Sequence, residues 1–79
     1  MNAKEATKLA RKALTEVTTT VEYMDVDGTP ELASGPVSVA DATVLFKNTD
    51  GTWSVVDNGE EVICHSETDV IRIIVENLQ

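Results

Sequence analysis

Residues 43–66, TVLFKNTDGTWSVVDNGEEVICHS, decide how the chain folds. Two turn dipeptides, Asp50-Gly51 and Asn58-Gly59, divide the stretch into three short apolar runs. Both suit two-residue type I′ turns, whose central residues need positive φ, a region that Asn, Asp and Gly tolerate best. The stretch is therefore expected to form a three-stranded antiparallel meander. A turn at Asn58-Gly59 pairs Asp57 with Glu60, Val55 with Val62 and Trp53 with Cys64. A two-residue turn at Asp50-Gly51 pairs Thr49 with Thr52, Phe46 with Val55 and Val44 with Asp57. Side chains alternate along a strand, so this register puts Val44, Phe46, Trp53, Val55, Val62 and Cys64 on one face. Leu45, Lys47, Ser54, Val56, Ile63 and His65 take the other. The first face is the better core. The second is half apolar and is a candidate interface.

Outward from the meander, residues 66–79, SETDVIRIIVENLQ, read as a helix. Ser66 is a good N-cap, with Asp69 three residues on in a capping-box-like arrangement. Ile71, Ile74, Val75 and Leu78 follow helical spacing. The run of β-branched residues lowers helix propensity, which leaves a strand over 70–75 as the alternative. At the other end, residues 3–17 carry Ala6, Leu9, Ala10, Ala13, Leu14 and Val17 on one stripe, with Asn2 as N-cap. Thr18, Thr19 and Thr20 end that helix, since β-branched residues favour extended chain. Residues 19–26 are a strand candidate with imperfect alternation, as expected of an edge or bulged strand. Residues 27–36, DGTPELASGP, read as a loop, and residues 37–42 fit either a short strand or more loop. The expected fold is a single α+β domain spanning residues 1–79. It has an N-terminal helix, an antiparallel sheet of three to four strands and a C-terminal helix packed on one face.

Composition narrows the possible functions. The 79 residues hold 14 acids and 6 bases, for a net charge of −8. Residues 1–17 carry four bases (Lys4, Lys8, Arg11 and Lys12) against two acids, whereas residues 18–79 carry two bases against twelve acids. Direct nucleic-acid binding is disfavoured, because it needs a basic surface that displaces counterions. An acidic surface instead suits a basic partner, or serves solubility alone. The single cysteine, Cys64, excludes an internal disulfide and fits a reducing compartment. No apolar run approaches a membrane span and no signal-peptide pattern opens the chain, so a cytoplasmic protein is expected.

No catalytic constellation is legible. Cys64 and His65, the lone cysteine and histidine, are adjacent and would point to opposite faces of a strand. Cys64 and Trp53 read as core residues, and His65 as a rim residue. One His and one Cys do not make a zinc site. Asp25 and Asp27 before Gly28 match only the opening of a calcium loop, without its remaining ligands. The chain is expected to be non-enzymatic and to need no cofactor. The candidate partner-binding residues are acidic: Asp25, Asp27 and Glu31 around the loop, Asp50, Asp57, Glu60 and Glu61 at the turns, and Glu67 and Asp69 at the last helix start. Asp57 opposite Glu60 is an unfavourable like-charge pair, as expected where stability is given up for binding, although solvent screening keeps the cost small.

In size, acidity and the order of hairpins followed by a short C-terminal helix, the run from Thr43 to Leu78 resembles small phage-encoded inhibitors, including anti-CRISPR proteins and other nucleic-acid mimics. That resemblance is one of pattern and carries no residue-level motif. It implies a viral protein whose acidic surface occupies the basic nucleic-acid-binding groove of a host protein. The alternative is an assembly module, a homodimer or an accessory subunit, motivated by the half-apolar second face of the sheet.

Overall fold

The computed structural model describes residues 1–20, 22–24, 27–28, 30–32 and 35–79, with the side chains of 22–24 and 30–32 outside that description. Helix α1 spans Ala3–Glu16 and is capped by Asn2, whose side chain accepts a hydrogen bond from the Glu5 N–H at 2.8 Å. Strands β1 (Glu22–Met24) and β2 (Pro30–Leu32) form a separate two-stranded antiparallel sheet. Strands β3 (Val37–Ala40), β4 (Thr43–Lys47), β5 (Trp53–Asp57) and β6 (Glu60–Cys64) form a four-stranded antiparallel meander in that order. Helix α2, Glu67–Leu78, closes the described fold. The α+β architecture, with both helices on one face of the sheet, is the one the sequence predicts.

Several local expectations are settled or corrected. The stretch 27–36 is not all loop, because β2 lies inside it and pairs with β1, with Met24 opposite Pro30 and Glu22 opposite Leu32. Gly28 adopts φ +82 at the turn, and Pro30, which has no N–H, opens a short strand at a sheet edge. Of the strand expected over 19–26, the described part is Glu22–Met24, preceded by a parallel bridge from Thr19 to Lys47; residues 21, 25 and 26 lie outside the described residues. Residues 37–42 resolve into a strand, 37–40, that bulges between Ser38 and Ala40 and then turns.

The register at the Asp50-Gly51 hairpin turn changes which residues face the core. At Asn58-Gly59 both residues have positive φ (51 and 84), and the register Asp57–Glu60, Val55–Val62, Trp53–Cys64 is as expected. At the other turn only Gly51 has positive φ, +89, while Asp50 does not. Gly51 donates to the Asn48 carbonyl at 3.2 Å and Asn48 donates to the Thr52 carbonyl at 2.8 Å. This is a three-residue connection, a type I turn closed by glycine in the left-handed region. The Asp50 carboxylate holds it by accepting from the Thr52 N–H at 2.9 Å and the Thr52 hydroxyl at 2.6 Å. One extra loop residue slips the pairing by one, to Leu45–Val55, Phe46–Ser54 and Val44–Val56. Because side chains alternate, the slip turns β4 over. Leu45 enters the core and is fully buried; Val44 and Phe46 go to the opposite face.

The core lies between the helices and one sheet face. Leu45, Val55 and Cys64 meet Ala10 and Ala13 from α1, its C-cap Val17, and Val70 and Ile74 from α2. Small alanines at 6, 10 and 13 allow α1 to approach closely; all three are buried. The α2 stripe is centred on Val70 and Ile74, with Ile71, Ile73 and Leu78 flanking, rather than on the 71–74–75–78 set. Ser66 caps α2 by accepting from the Asp69 N–H at 3.1 Å, as expected, and the strand alternative over 70–75 falls. Across the sheet, α1 lies against β3, whereas α2 lies against β5 and β6.

Candidate protein-binding surface

The placement of the helices separates charge. Lys4, Lys8, Arg11 and Lys12 are exposed on α1; Lys12 lines a cleft with Val37, Ser38 and Val39 of β3, whereas Arg11 lines one with Glu67 and Ile71 of α2. Residues 57–76, which run from the last hairpin turn through β6 and α2, carry Asp57, Glu60, Glu61, Glu67, Asp69 and Glu76 against the single base Arg72. Arg72 is committed locally, to Asp69 at 3.6 Å and Glu76 at 3.4 Å. The β6–α2 flank is therefore strongly acidic, while α1 carries four of the six bases, with Arg11 at its seam with α2. Pairing along the exposed helix surface contributes little stability, so the main effect of this layout is on the field that a partner meets.

The acidic candidates fall into groups. Asp57, Glu60 and Glu61 gather at the Asn58-Gly59 end. Asp57 is tied down there by the Thr43 hydroxyl, which donates to it at 2.7 Å, so Glu60 and Glu61 are the freer pair; both are exposed. Asp41 was not foreseen at this end. The Asn58 N–H donates to the Ala42 carbonyl at 3.1 Å, which brings the β3–β4 turn, and with it exposed Asp41, beside the β5–β6 turn. The signal lay in VSVADATV: reading 37–40 as a strand makes Asp41-Ala42 its turn. At the opposite end Asp50 lies within electrostatic reach of His65, so the meander brings its first turn to the end of β6. The Thr52 hydroxyl and N–H hold Asp50 below the ordinary carboxylate value of 3.8, with His65 adding a smaller pull. Glu67 and Asp69 begin α2, where negative charge complements the helix dipole. Asp27 is exposed near the turn of the small sheet, while Asp25 and the side chain of Glu31 lie outside the described residues.

The register leaves an apolar sheet face without a helix. Val44, Phe46, Val56 and Ile63 stand there, and none belongs to the core cluster or packs against it. Ser54 sits among them, buried, and accepts from the Asn48 amide at 2.9 Å. At the free margin, Val62 and Ile63 of β6 are 40% and 47% exposed, on opposite faces of the same strand. Val62 was expected in the core; it turns toward the helix layer but sits at the sheet edge.

Cys64 is buried in the core. Burial pushes its thiol above the ordinary value, the Asp69 charge adds to the rise, and Arg72 opposes it. A thiol in that setting is held protonated and is a poor nucleophile. His65 is exposed, and Trp53 packs half-buried against the core. Among the described residues no group of three His, Cys, Asp or Glu side chains is placed to hold a metal ion, and no helix is long and apolar enough to cross a membrane.

Comparison with known proteins brings no relative to this surface: no family model, curated protein or solved structure matches the chain.

Proposed function

We propose that this is a non-enzymatic binding protein whose acidic β6–α2 flank engages a basic protein surface. The supporting observation is the segregation of charge, six acids to one base over residues 57–76, with exposed Glu60 and Glu61 free of intramolecular partners among the described residues. Within that class, the finer proposal is a phage-type inhibitor that mimics nucleic acid, of which an anti-CRISPR protein is an example. Clustered carboxylates present to a basic groove the same sign of charge as a phosphate backbone. A cytoplasmic site of action accompanies this proposal. The test is binding to a panel of purified nucleic-acid-binding proteins, with duplex DNA as competitor, across a salt series. Binding that weakens steeply with salt, is displaced by DNA and is reduced by Glu60→Lys with Glu61→Lys supports the proposal. Salt-independent binding, or none to any basic protein at low salt, overturns it.

The open face of the sheet favours a second reading, an assembly module that buries Val44, Phe46, Val56 and Ile63 against another copy or a larger complex. Sedimentation equilibrium decides the homodimer version: a monomer at high concentration removes it.

A further inference from the structure

We infer that the basic partner is gripped through a segment that adds to the sheet as a fifth strand beside β6. This rests on the acidic-surface proposal and specifies how that surface holds its ligand. The sheet order ends at β6, and no described strand pairs with its outer side. In a two-residue hairpin the residues flanking the turn exchange hydrogen bonds, so Asp57–Glu60, Val55–Val62 and Trp53–Cys64 are the bonded pairs with β5. Glu61 and Ile63 consequently direct their N–H and C=O groups outward, available to an added strand.

The side chains of the edge define what fits. On the helix side β6 presents Glu60 and then exposed Val62; on the open side it presents Glu61 and then exposed Ile63. An antiparallel partner strand therefore meets two apolar positions followed by two acidic ones. Cross-strand pairing favours an apolar-apolar-basic-basic segment. Glu67 and Asp69, just beyond the end of β6, extend the demand for positive charge. A second copy of this chain is disfavoured on the same grounds, since it brings another acidic flank against the first. The two glutamates thus guard the edge against self-pairing while admitting a cationic strand.

The test is titration of the intact protein with acetyl-Thr-Ile-Val-Lys-Arg-Thr-amide, followed by amide NMR. In the antiparallel register the peptide Ile and Lys lie opposite Ile63 and Glu61, and the peptide Val opposite Val62. The expected result is binding that shifts and protects the Glu61 and Ile63 amides. N-methylation of the peptide Ile and Lys should weaken it roughly tenfold or more, whereas N-methylation of the peptide Val leaves it unchanged. A shuffled peptide, acetyl-Thr-Lys-Ile-Arg-Val-Thr-amide, should bind more weakly at equal charge. Binding indifferent to methylation and to order overturns strand addition and leaves the acidic-surface proposal standing, and so does a failure of the peptide to bind while basic proteins still do. If neither the peptide nor any basic protein binds, both fall. Glu61→Lys, an exposed change at an edge, should abolish peptide binding in a folded protein; unchanged binding also overturns the inference.

Discussion

The two faces of the meander are built from the same strands and similar residues, yet one is packed against both helices and the other, among the described residues, carries no helix. Leu45 and Val55 are fully buried on the first. Val44, Phe46, Val56 and Ile63 stand on the second with no helix over them. A single loop residue separates the two outcomes for β4. The Asn58-Gly59 turn holds two residues and the Asn48–Thr52 connection encloses three. Because side-chain alternation has period two, that one residue chooses between Leu45 and Phe46 for the core. Hydrophobicity alone does not choose, since Phe46 is at least as good a core residue as Leu45.

Cutting into the packed face should have the largest effect. Leu45→Ala and Ile74→Ala remove fully buried side chains next to helix backbones with little room to collapse, and each should destabilise by about 2–5 kcal/mol. Phe46→Ala, a larger truncation on the open face, should cost less than half as much as Leu45→Ala. Equal losses in urea unfolding would break the contrast between the faces.

Next in size is the junction where the chain leaves α1 and rejoins the sheet. Gly35 has φ +132, and a Cβ there would lie 2.8 Å from both the Thr18 carbonyl oxygen and the Thr20 Cα. Its own carbonyl accepts from the Thr18 N–H at 3.2 Å. Gly35→Ala meets backbone on two sides in a conformation that L residues rarely adopt, and should destabilise by about 1–3 kcal/mol. A neutral result would mean that the 18–20 segment does not dock where it is described.

Much of this was legible in the sequence, and the failures have physical causes. Asn2 and Ser66 announced their helices because a side-chain acceptor before an apolar period is a local signal. The Asn58-Gly59 register was legible because Asn tolerates positive φ and so permits the two-residue turn. Asp50-Gly51 looked equivalent but is not. Asn48 opens a type I turn, Asp50 stays at negative φ where its carboxylate can reach Thr52, and Gly51 alone takes the left-handed position. A dipeptide does not reveal which of its residues turns the chain. In the candidate site, Glu60 and Glu61 followed from the correct turn, whereas Asp41 depended on β3, whose four residues carry too little period to be read. Pro30 concealed β2, since proline reads first as a breaker.

Smaller effects sharpen the contrast between the turns. Ser66→Ala removes the α2 cap that orients the acids beside β6, and should cost about 1 kcal/mol. Asp50 supplies a pH test of the three-residue turn. Its folded pKa lies below the unfolded value, so it contributes stability above the unfolded value of 3.8 and loses that contribution as pH falls through the folded value. Asp50→Ala should therefore shift the urea midpoint downward near pH 7 and leave it closer to wild type well below pH 3.8. A difference that grows on acidification would contradict the hydrogen bonds to Thr52.

The open apolar face and the position of β4 both rest on the one-residue register, and NMR reads that register directly. Val55 bonds to β6, so toward β4 it stands in a non-hydrogen-bonded pair, where opposed Cα atoms approach to about 4.5 Å. A strong Hα–Hα nuclear Overhauser effect should therefore join Leu45 to Val55. The same effect between Phe46 and Val55 would put Phe46 in the core, return Leu45 to the outer face and contradict the account.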